Sequence, residues 1–339
     1  MDFKDFTAGK DDDGRRLDRV LRIFLKDKSL GEIYKLIRKG LIKVNHSKTK
    51  PEAHVNQGDI ISIALFLLEN HDDAGADFDK APLPLKTQKP RQSQQSQPSN
   101  LKILFENEDL LIIDKPYGIS VHGSEKAADA GIDKEVISYY EANIKDKKEA
   151  SLSFRPGPLH RLDRNTTGLL VFSLSLQGAK WFSESIKNHT VQKKYLGIAE
   201  GKLDQTQTWE DKIQDSDSNE DGFYTVTQDD QGKTAVTIAK PLLSTSIDKH
   251  PVTLVEYTIK TGRKHQIRLQ SQLHKHPLAG DKAYGGQPFK ELKREYYLHA
   301  YSLTFPEDNP LKLPSELKTE LPQAFKQLLQ GCDFENLGL

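Results

Sequence analysis

The segment His160-Arg161-Leu162-Asp163-Arg164-Asn165-Thr166-Thr167-Gly168 sets one carboxylate between two arginines, three residues after a histidine. Positive charge close by favours the ionised form of a carboxylate. A charged carboxylate on a shaped loop can serve as nucleophile, base or metal ligand, whereas a solvated Arg–Asp pair would contribute little. Asp163 is therefore the first candidate for chemistry. A second cluster lies at Thr261-Gly262-Arg263, read as a hairpin turn, followed by His265 to Gln270, read as a strand. Strand alternation puts Ile267 and Leu269 on one face and Gln266, Arg268 and Gln270 on the other. An arginine between buried aliphatics needs a fixed carboxylate, and Asp163 is the candidate partner of Arg268. Further polar residues sit at Lys115-Pro-Tyr-Gly-Ile-Ser-Val-His122, where the Pro116 and Gly118 turn places His122 on an exposed rim, and at Lys193-Lys-Tyr195. His274, His276 and Asp281 offer a weaker, metal-hydrolase alternative: the His-x-His pair is interrupted by Pro277, and no second carboxylate cluster accompanies it.

These residues need a scaffold, and the chain supplies 339 residues, enough for two domains. Its 49 basic and 49 acidic residues cancel, but they are segregated. Residues 15–50 hold twelve Lys and Arg against three acids, and 204–230 hold nine acids against one lysine. A basic segment of this kind fits an anionic partner. The acidic stretch Asp215 to Asp221 reads as a loop facing away from that partner. Cys332 is the lone cysteine, so no intrachain disulfide can form, which fits a reducing cytoplasm. The N-terminus lacks a signal-peptide apolar core, and the longest apolar run, 60–68, is too short to span a bilayer.

Residues 1–14 read as a flexible tail. Leu17, Val20, Leu21 and Phe24 recur with helical spacing. Ser29 and Glu32 form a capping box for a second helix carrying Leu30, Ile33, Tyr34 and Ile37 on one face, with Gly40 as its stop. Lys35, Arg38 and Lys39 occupy the other face. Two strands follow, at 41–45 and 60–65, closing a small module over 15–68. Residues 69–100, rich in Asp, Pro, Gln and Ser, have linker composition. From 101 to 330 the chain reads as a larger α+β unit, with strands at 103–105, 110–114, 169–173, 193–199, 235–239 and 252–260. Its clearest helix runs over 176–188 with Ser175 as cap, and 331–339 form a C-terminal tail.

The first module, through Arg16-Leu-Asp-Arg19, Lys35-Leu-Ile-Arg-Lys-Gly40, Ile42-Lys-Val-Asn45 and Val55-Asn-Gln-Gly-Asp59, resembles the S4 RNA-binding domain. That resemblance implies a small α/β module binding structured RNA, with Arg16, Arg19, Lys35, Arg38, Lys39 and Lys43 as contacts, largely to phosphates. Over about 100–306 the chain resembles the RluA-type pseudouridine synthase family. The residues that carry this likeness are Lys115-Pro-Tyr-Gly-Ile-Ser-Val-His-Gly123, His160 to Gly168, Lys193-Lys-Tyr195, Gly262-Arg-Lys-His-Gln-Ile-Arg268, His276-Pro-Leu-Ala-Gly-Asp281 with Tyr284-Gly285, and Leu298-His-Ala300 with Phe305-Pro306.

The likeness implies a mixed, mainly antiparallel sheet and an isomerase that turns uridine into pseudouridine. Asp163 matches the catalytic aspartate. Tyr195 matches the tyrosine against the base, placed to help remove the C5 proton, and Arg268 matches the arginine paired with the aspartate. Arg161 matches an arginine that fills the gap left by a flipped nucleotide. Ile267 and Leu269 match pocket aliphatics, His160 is grouped with them, and Arg164 with the RNA contacts. No metal or cofactor is implied, and nothing in the sequence argues against a monomer. The preceding module points to large-subunit (23S) ribosomal RNA or its precursor; a transfer-RNA substrate and a non-catalytic ribosome-assembly role are the alternatives. Asn165 and Thr167 stand where Asp and Ser are common in the family, and Lys264 and Gln270 where Thr and His are usual. Nucleophilic attack at C1′ and formation of a glycal both fit the carboxylate.

Overall fold

The computed structural model describes residues 1–25, 27–68, 101–123, 131–144, 151–218, 224–288 and 290–339. The linker expected over 69–100 lies outside them. The chain divides into two compact units: Met1–Asn100 with Ile137–Pro156, and Leu101–Val136 with Gly157–Leu339.

The first unit contains β1 (Phe3–Thr7), β2 (Arg15–Arg16), α1 (Leu17–Phe24), α2 (Leu30–Arg38), β3 (Ile42–Val44), β4 (His54–Val55) and β5 (Ile60–Ala64). Leu17, Val20 and Leu21 of α1 meet Ile33 and Ile37 of α2 in one fully buried cluster; burying each such side chain stabilises by about 1.5–3 kcal/mol. The Ser29 capping box forms as expected, with Glu32 N–H donating to the Ser29 hydroxyl and Ser29 N–H to the Glu32 carboxylate. Leu30, expected on the apolar face, is exposed, because it lies at the first turn beyond the reach of the core.

Two boundaries need correction. Phe3–Thr7, expected to be a frayed tail, pairs antiparallel with β5 along its whole length, and Phe3 and Phe6 pack on the cluster. The unit also takes in Ile137–Pro156. There the buried Asp12 carboxylate accepts from the backbone N–H of Leu152 (2.8 Å) and Ser153 (2.9 Å) and from the Ser153 hydroxyl.

The second unit contains β6 (Ile103–Glu106), β7 (Leu110–Lys115), the start of α3 (Ile132–Asn143), β8 (Gly157–Pro158), β9 (Thr167–Ser173), α4 (Leu176–Lys187), β10 (Gln192–Glu200), β11 (Gln207–Ser218), β12 (Tyr224–Gln228), β13 (Lys233–Ile247), β14 (His250–Ile259), α5 (Gln266–Leu273), β15 (Leu298–Thr304), β16 (Glu316–Lys318) and α6 (Gln323–Leu328). Its main sheet runs β12-β11-β13-β14-β10-β15-β9-β7-β6, with β16 on β15 and β8 on β9. All these pairs are antiparallel except β15 with β9, which gives the expected mixed, mainly antiparallel sheet. Leu110–Ile113 and Leu169–Phe172 are buried throughout, as strands covered on both faces must be.

At the β9–β15 crossing Gly168 has φ +106°, and a Cβ there would sit 2.2 Å from the Ala300 carbonyl oxygen. Only glycine lets the loop enter the sheet at that point. The segment 331–339, expected to be a tail, packs on the core through Cys332, Phe334, Leu337 and Leu339. Tyr301 hydroxyl donates to the Gly338 carbonyl (3.3 Å). The acidic stretch expected as a loop is in part the end of β11, as far as Ser218; 219–223 lie outside the described residues.

Candidate active site

Asp163 lies in the short loop between β8 and β9. The loop is shaped by a turn, Thr166 N–H donating to the Asp163 carbonyl (3.0 Å). It is also fastened from outside. The Lys115 ammonium, fully buried, donates to the carbonyls of Arg164 (3.0 Å), Pro116 (2.9 Å) and Ile119 (2.8 Å). Gly118 N–H donates to the Arg164 carbonyl (3.1 Å), and Arg164 Nε returns a bond to the Gly118 carbonyl (2.9 Å). Arg164 thus braces the loop through its guanidinium as well as its backbone. Arg161 is exposed at the rim.

Asp163 opens into a cleft lined by Arg161, Thr166, Tyr195, Ile267, Arg268 and Leu298 among others. Tyr195 comes from β10, at an irregularity in its pairing with β15. Burial, and then the negative charge of Asp163, hold its phenol well above the usual tyrosine range. Both effects favour the neutral phenol.

Arg268 and Ile267 come from a helix, not from the strand read in the sequence. Gln266–Leu273 is α5, and Thr261–Arg263 connects β14 to it instead of turning a hairpin. Residues 266–271 are all buried, so the helix shows no polar face to give it away. Gln266 caps its own turn: Arg263 N–H (3.0 Å) and the Thr261 hydroxyl (2.7 Å) donate to its side-chain oxygen. Leu269, expected in the pocket, instead packs with Ile213, Val226, Ala235 and Tyr284, since a helix turns it away from the cleft. Gln270 fills the core, donating to Asp211 (2.7 Å) and accepting from Thr237 (2.6 Å).

The Arg268 guanidinium makes a two-pronged pair with Asp281, 2.7 Å on each prong. It also reaches Asp163 at 3.6 Å. It lies between the rings of Tyr284 (4.9 Å) and Tyr296 (4.3 Å). The expected Asp163 contact is present as the longer of two, and its main partner is Asp281. Burial works against the charge, but the hydrogen bonds to Asp281 and the surrounding negative charge outweigh it and raise the Arg268 pKa.

His160 does not line the cleft. Its Nε2 accepts from the Val171 N–H (3.1 Å) and its ring stacks on Phe182 of α4 at 6.1 Å. Burial lowers its pKa to about 3, so it acts as a neutral anchor for the strand. The residues of the metal alternative turn to separate partners. His274 faces Asp211 (3.1 Å), His276 Nδ1 the Glu200 carbonyl (3.0 Å), and Asp281 Arg268. His122 is on the rim beside Asp133 (3.0 Å).

In the first unit Arg19, Lys35, Arg38 and Lys39 are exposed. Arg16 is tied to Asp18 (2.7 Å) and Lys43 lies over the Phe3 ring (4.4 Å), so these two are less available to a ligand than expected. The sequence reading missed His265, whose ring lies 3.7 Å from Asp163, and the two tyrosines around Arg268. Helical spacing of His265 and Arg268 was the signal, and it was masked by an apparent two-residue alternation.

A family model described as RNA pseudouridylate synthase matches residues 109–273, and one described as S4 domain matches 15–61. The chain is 31% identical to ribosomal large subunit pseudouridine synthase C of Haemophilus influenzae, over 89% of this chain and 87% of that one. The corresponding protein of Pasteurella multocida is 30% identical over 89% and 86%. Among solved structures, human RNA pseudouridylate synthase domain containing 4 is similar with a TM-score of 0.52 and 25% identity, over 67% of this chain and 91% of that one.

Proposed function

Because the chain belongs to the RNA pseudouridylate synthase family, we propose that it isomerises uridine to pseudouridine in large-subunit ribosomal RNA, with Asp163 as the catalytic carboxylate. The observation that carries this reading is one cleft holding the Asp163 carboxylate, the Tyr195 ring and the Arg268 guanidinium. The substrate assignment rests on the likeness to large-subunit enzymes and on the S4 unit with its exposed Arg19, Lys35, Arg38 and Lys39.

A uridine stacked in folded RNA must leave the stack before its glycosidic bond is reachable. Arg161 at the rim takes the space it leaves, and Tyr195 offers an aromatic face to the extruded base. Asp163, oriented by Arg268, acts at the ribose, by attack on C1′ or by removing the C2′ proton. The N1–C1′ bond breaks, the uracil turns and C5 bonds to C1′; in the first route the Asp163–C1′ bond breaks as C5 bonds there, and in the second the proton taken from C2′ returns to it. C5 then loses its proton and N1 gains one. Atoms and electrons balance without a redox partner, so the reaction needs no cofactor. In this reading the enzyme works as a monomer in the cytoplasm, where its RNA is made.

The test is Asp163→Asn in the full chain. It should bind unmodified ribosomal RNA as the parent does and form no pseudouridine. Activity at the parent rate would remove Asp163 from the chemistry. Mapping pseudouridine in ribosomal and transfer RNA from cells lacking the protein identifies the substrate.

A further inference from the structure

We propose that His265 is a positioning residue for Asp163, held in one tautomer by Tyr284. The two oxygens of Asp163 face different donors. Oδ2 lies 3.6 Å from Arg268 Nη1, and Oδ1 lies 3.7 Å from His265 Nε2. The tautomer follows from the next bonds outward. The Tyr284 hydroxyl accepts the Val226 N–H (2.9 Å) and lies 2.8 Å from His265 Nδ1. A hydroxyl has one proton, and the N–H of Val226 already occupies one of its lone pairs. Among the described residues Nδ1 is the acceptor within reach of that proton, so the hydroxyl donates to Nδ1 and Nε2 carries the hydrogen that points at Asp163.

The arrangement is rigid. His265 stands at the start of α5 with φ +49°, a left-handed conformation uncommon for residues other than glycine. Tyr284 meets its ring edge-on at 5.7 Å while also supporting the Arg268 guanidinium. One tyrosine thus braces both groups that face the carboxylate. A bound nucleotide closing the cleft can shorten the His265 contact to hydrogen-bond length, as active-site contacts commonly tighten in the reactive complex. The N–H then fixes one oxygen of Asp163 and leaves the carboxylate a single productive orientation toward the ribose.

The role rests on the isomerase reading, and its test separates the two. Single-turnover rate and RNA affinity are measured apart, on unmodified ribosomal RNA transcripts, for His265→Asn, His265→Gln and Tyr284→Phe. Asparagine tolerates the left-handed backbone, but its amide stops short of Asp163. Glutamine restores an N–H near the Nε2 position. His265→Asn should slow the single-turnover step about tenfold, the scale of one hydrogen bond to a charged group, with affinity within about twofold of the parent. His265→Gln should recover most of the rate, and Tyr284→Phe should show a smaller loss in the same direction. Parent-like turnover in His265→Asn overturns the proposal. So does a His265→Gln variant as slow as His265→Asn, or a loss confined to RNA affinity. Parent protein that forms no pseudouridine in any RNA would instead sink the isomerase reading.

Discussion

Asp281→Asn is the substitution whose consequence the structure defines best. Asp281 is 1% exposed and Arg268 8%, and the two share hydrogen bonds of 2.7 Å at both prongs. The guanidinium cannot escape to water, because the rings of Tyr284 and Tyr296 close on it at 4.9 and 4.3 Å. Removing the anion leaves a buried cation whose nearest remaining carboxylate is Asp163, at 3.6 Å. Breaking a buried pair from one side costs about 3–5 kcal/mol. Asparagine keeps one acceptor, so about 3 kcal/mol is expected. For a unit of this size each kcal/mol moves the midpoint by roughly 2–4 °C, so thermal unfolding should shift down by about 6–12 °C. Activity should fall further than unfolding explains at the assay temperature, since Arg268 then pulls on Asp163, the carboxylate proposed to act at the ribose. A stability loss below about 1 kcal/mol would show that the Arg268 charge is compensated by other groups, and the account of this site would fail.

Two further outcomes are expected. Neutralising Lys35, Arg38 and Lys39 together should weaken RNA binding and flatten its salt dependence, by a slope change of roughly 2–3 for three phosphate contacts. An unchanged slope removes the α2 face as a docking surface. Acidification should destabilise the fold, because burial lowers the pKa of His160 to about 3 and that of His265 to about 4. A histidine held neutral contributes stability that is complete above its unfolded pKa of about 6.5 and is lost as pH falls through that value toward the folded one. Between pH 7 and pH 5 the loss should be roughly 2 kcal/mol for each such group, read by urea denaturation; a flat profile over that window would contradict the burial of these rings.

What the sequence disclosed followed from how strongly each segment contrasts its two faces. α1 and α2 alternate buried aliphatics with exposed charge, so their spacing and the Ser29 cap were readable. The central strands were readable as unbroken apolar runs. α5 was not, because its first six residues are all buried and its glutamines satisfy themselves inside the protein. Gln266-Ile267-Arg268-Leu269-Gln270 then looks like a strand with one polar face. The ends of the chain misled for another reason. Phe3 and Phe6 in one case, and Phe334, Leu337 and Leu339 in the other, are sparse apolar residues in polar surroundings, and they dock on surfaces made by residues far along the chain. Of the expected site, Asp163, Arg161, Tyr195, Ile267 and Arg268 share the cleft. Leu269 was misplaced because α5 was read as a strand, and His160 because its ring turns inward to the Val171 N–H and Phe182 instead of following Asp163.

The error over α5 bears directly on how Asp163 is held. Residues 265 and 268 are three apart. On a strand an odd separation puts them on opposite faces, so only one of them could have faced the carboxylate. At the start of a helix the same separation puts them side by side, and both reach it, one at each oxygen. The helix also sets the tautomer of His265 within reach of Tyr284 and seats Arg268 where Asp281 can anchor it. The arginines beside Asp163 in sequence are left to other work. Arg164 fastens the loop to Gly118, and Arg161 stays exposed at the rim. Orientation of the carboxylate therefore comes from a rigid element about a hundred residues away. A local Arg–Asp pair on a surface loop would have left it free to turn.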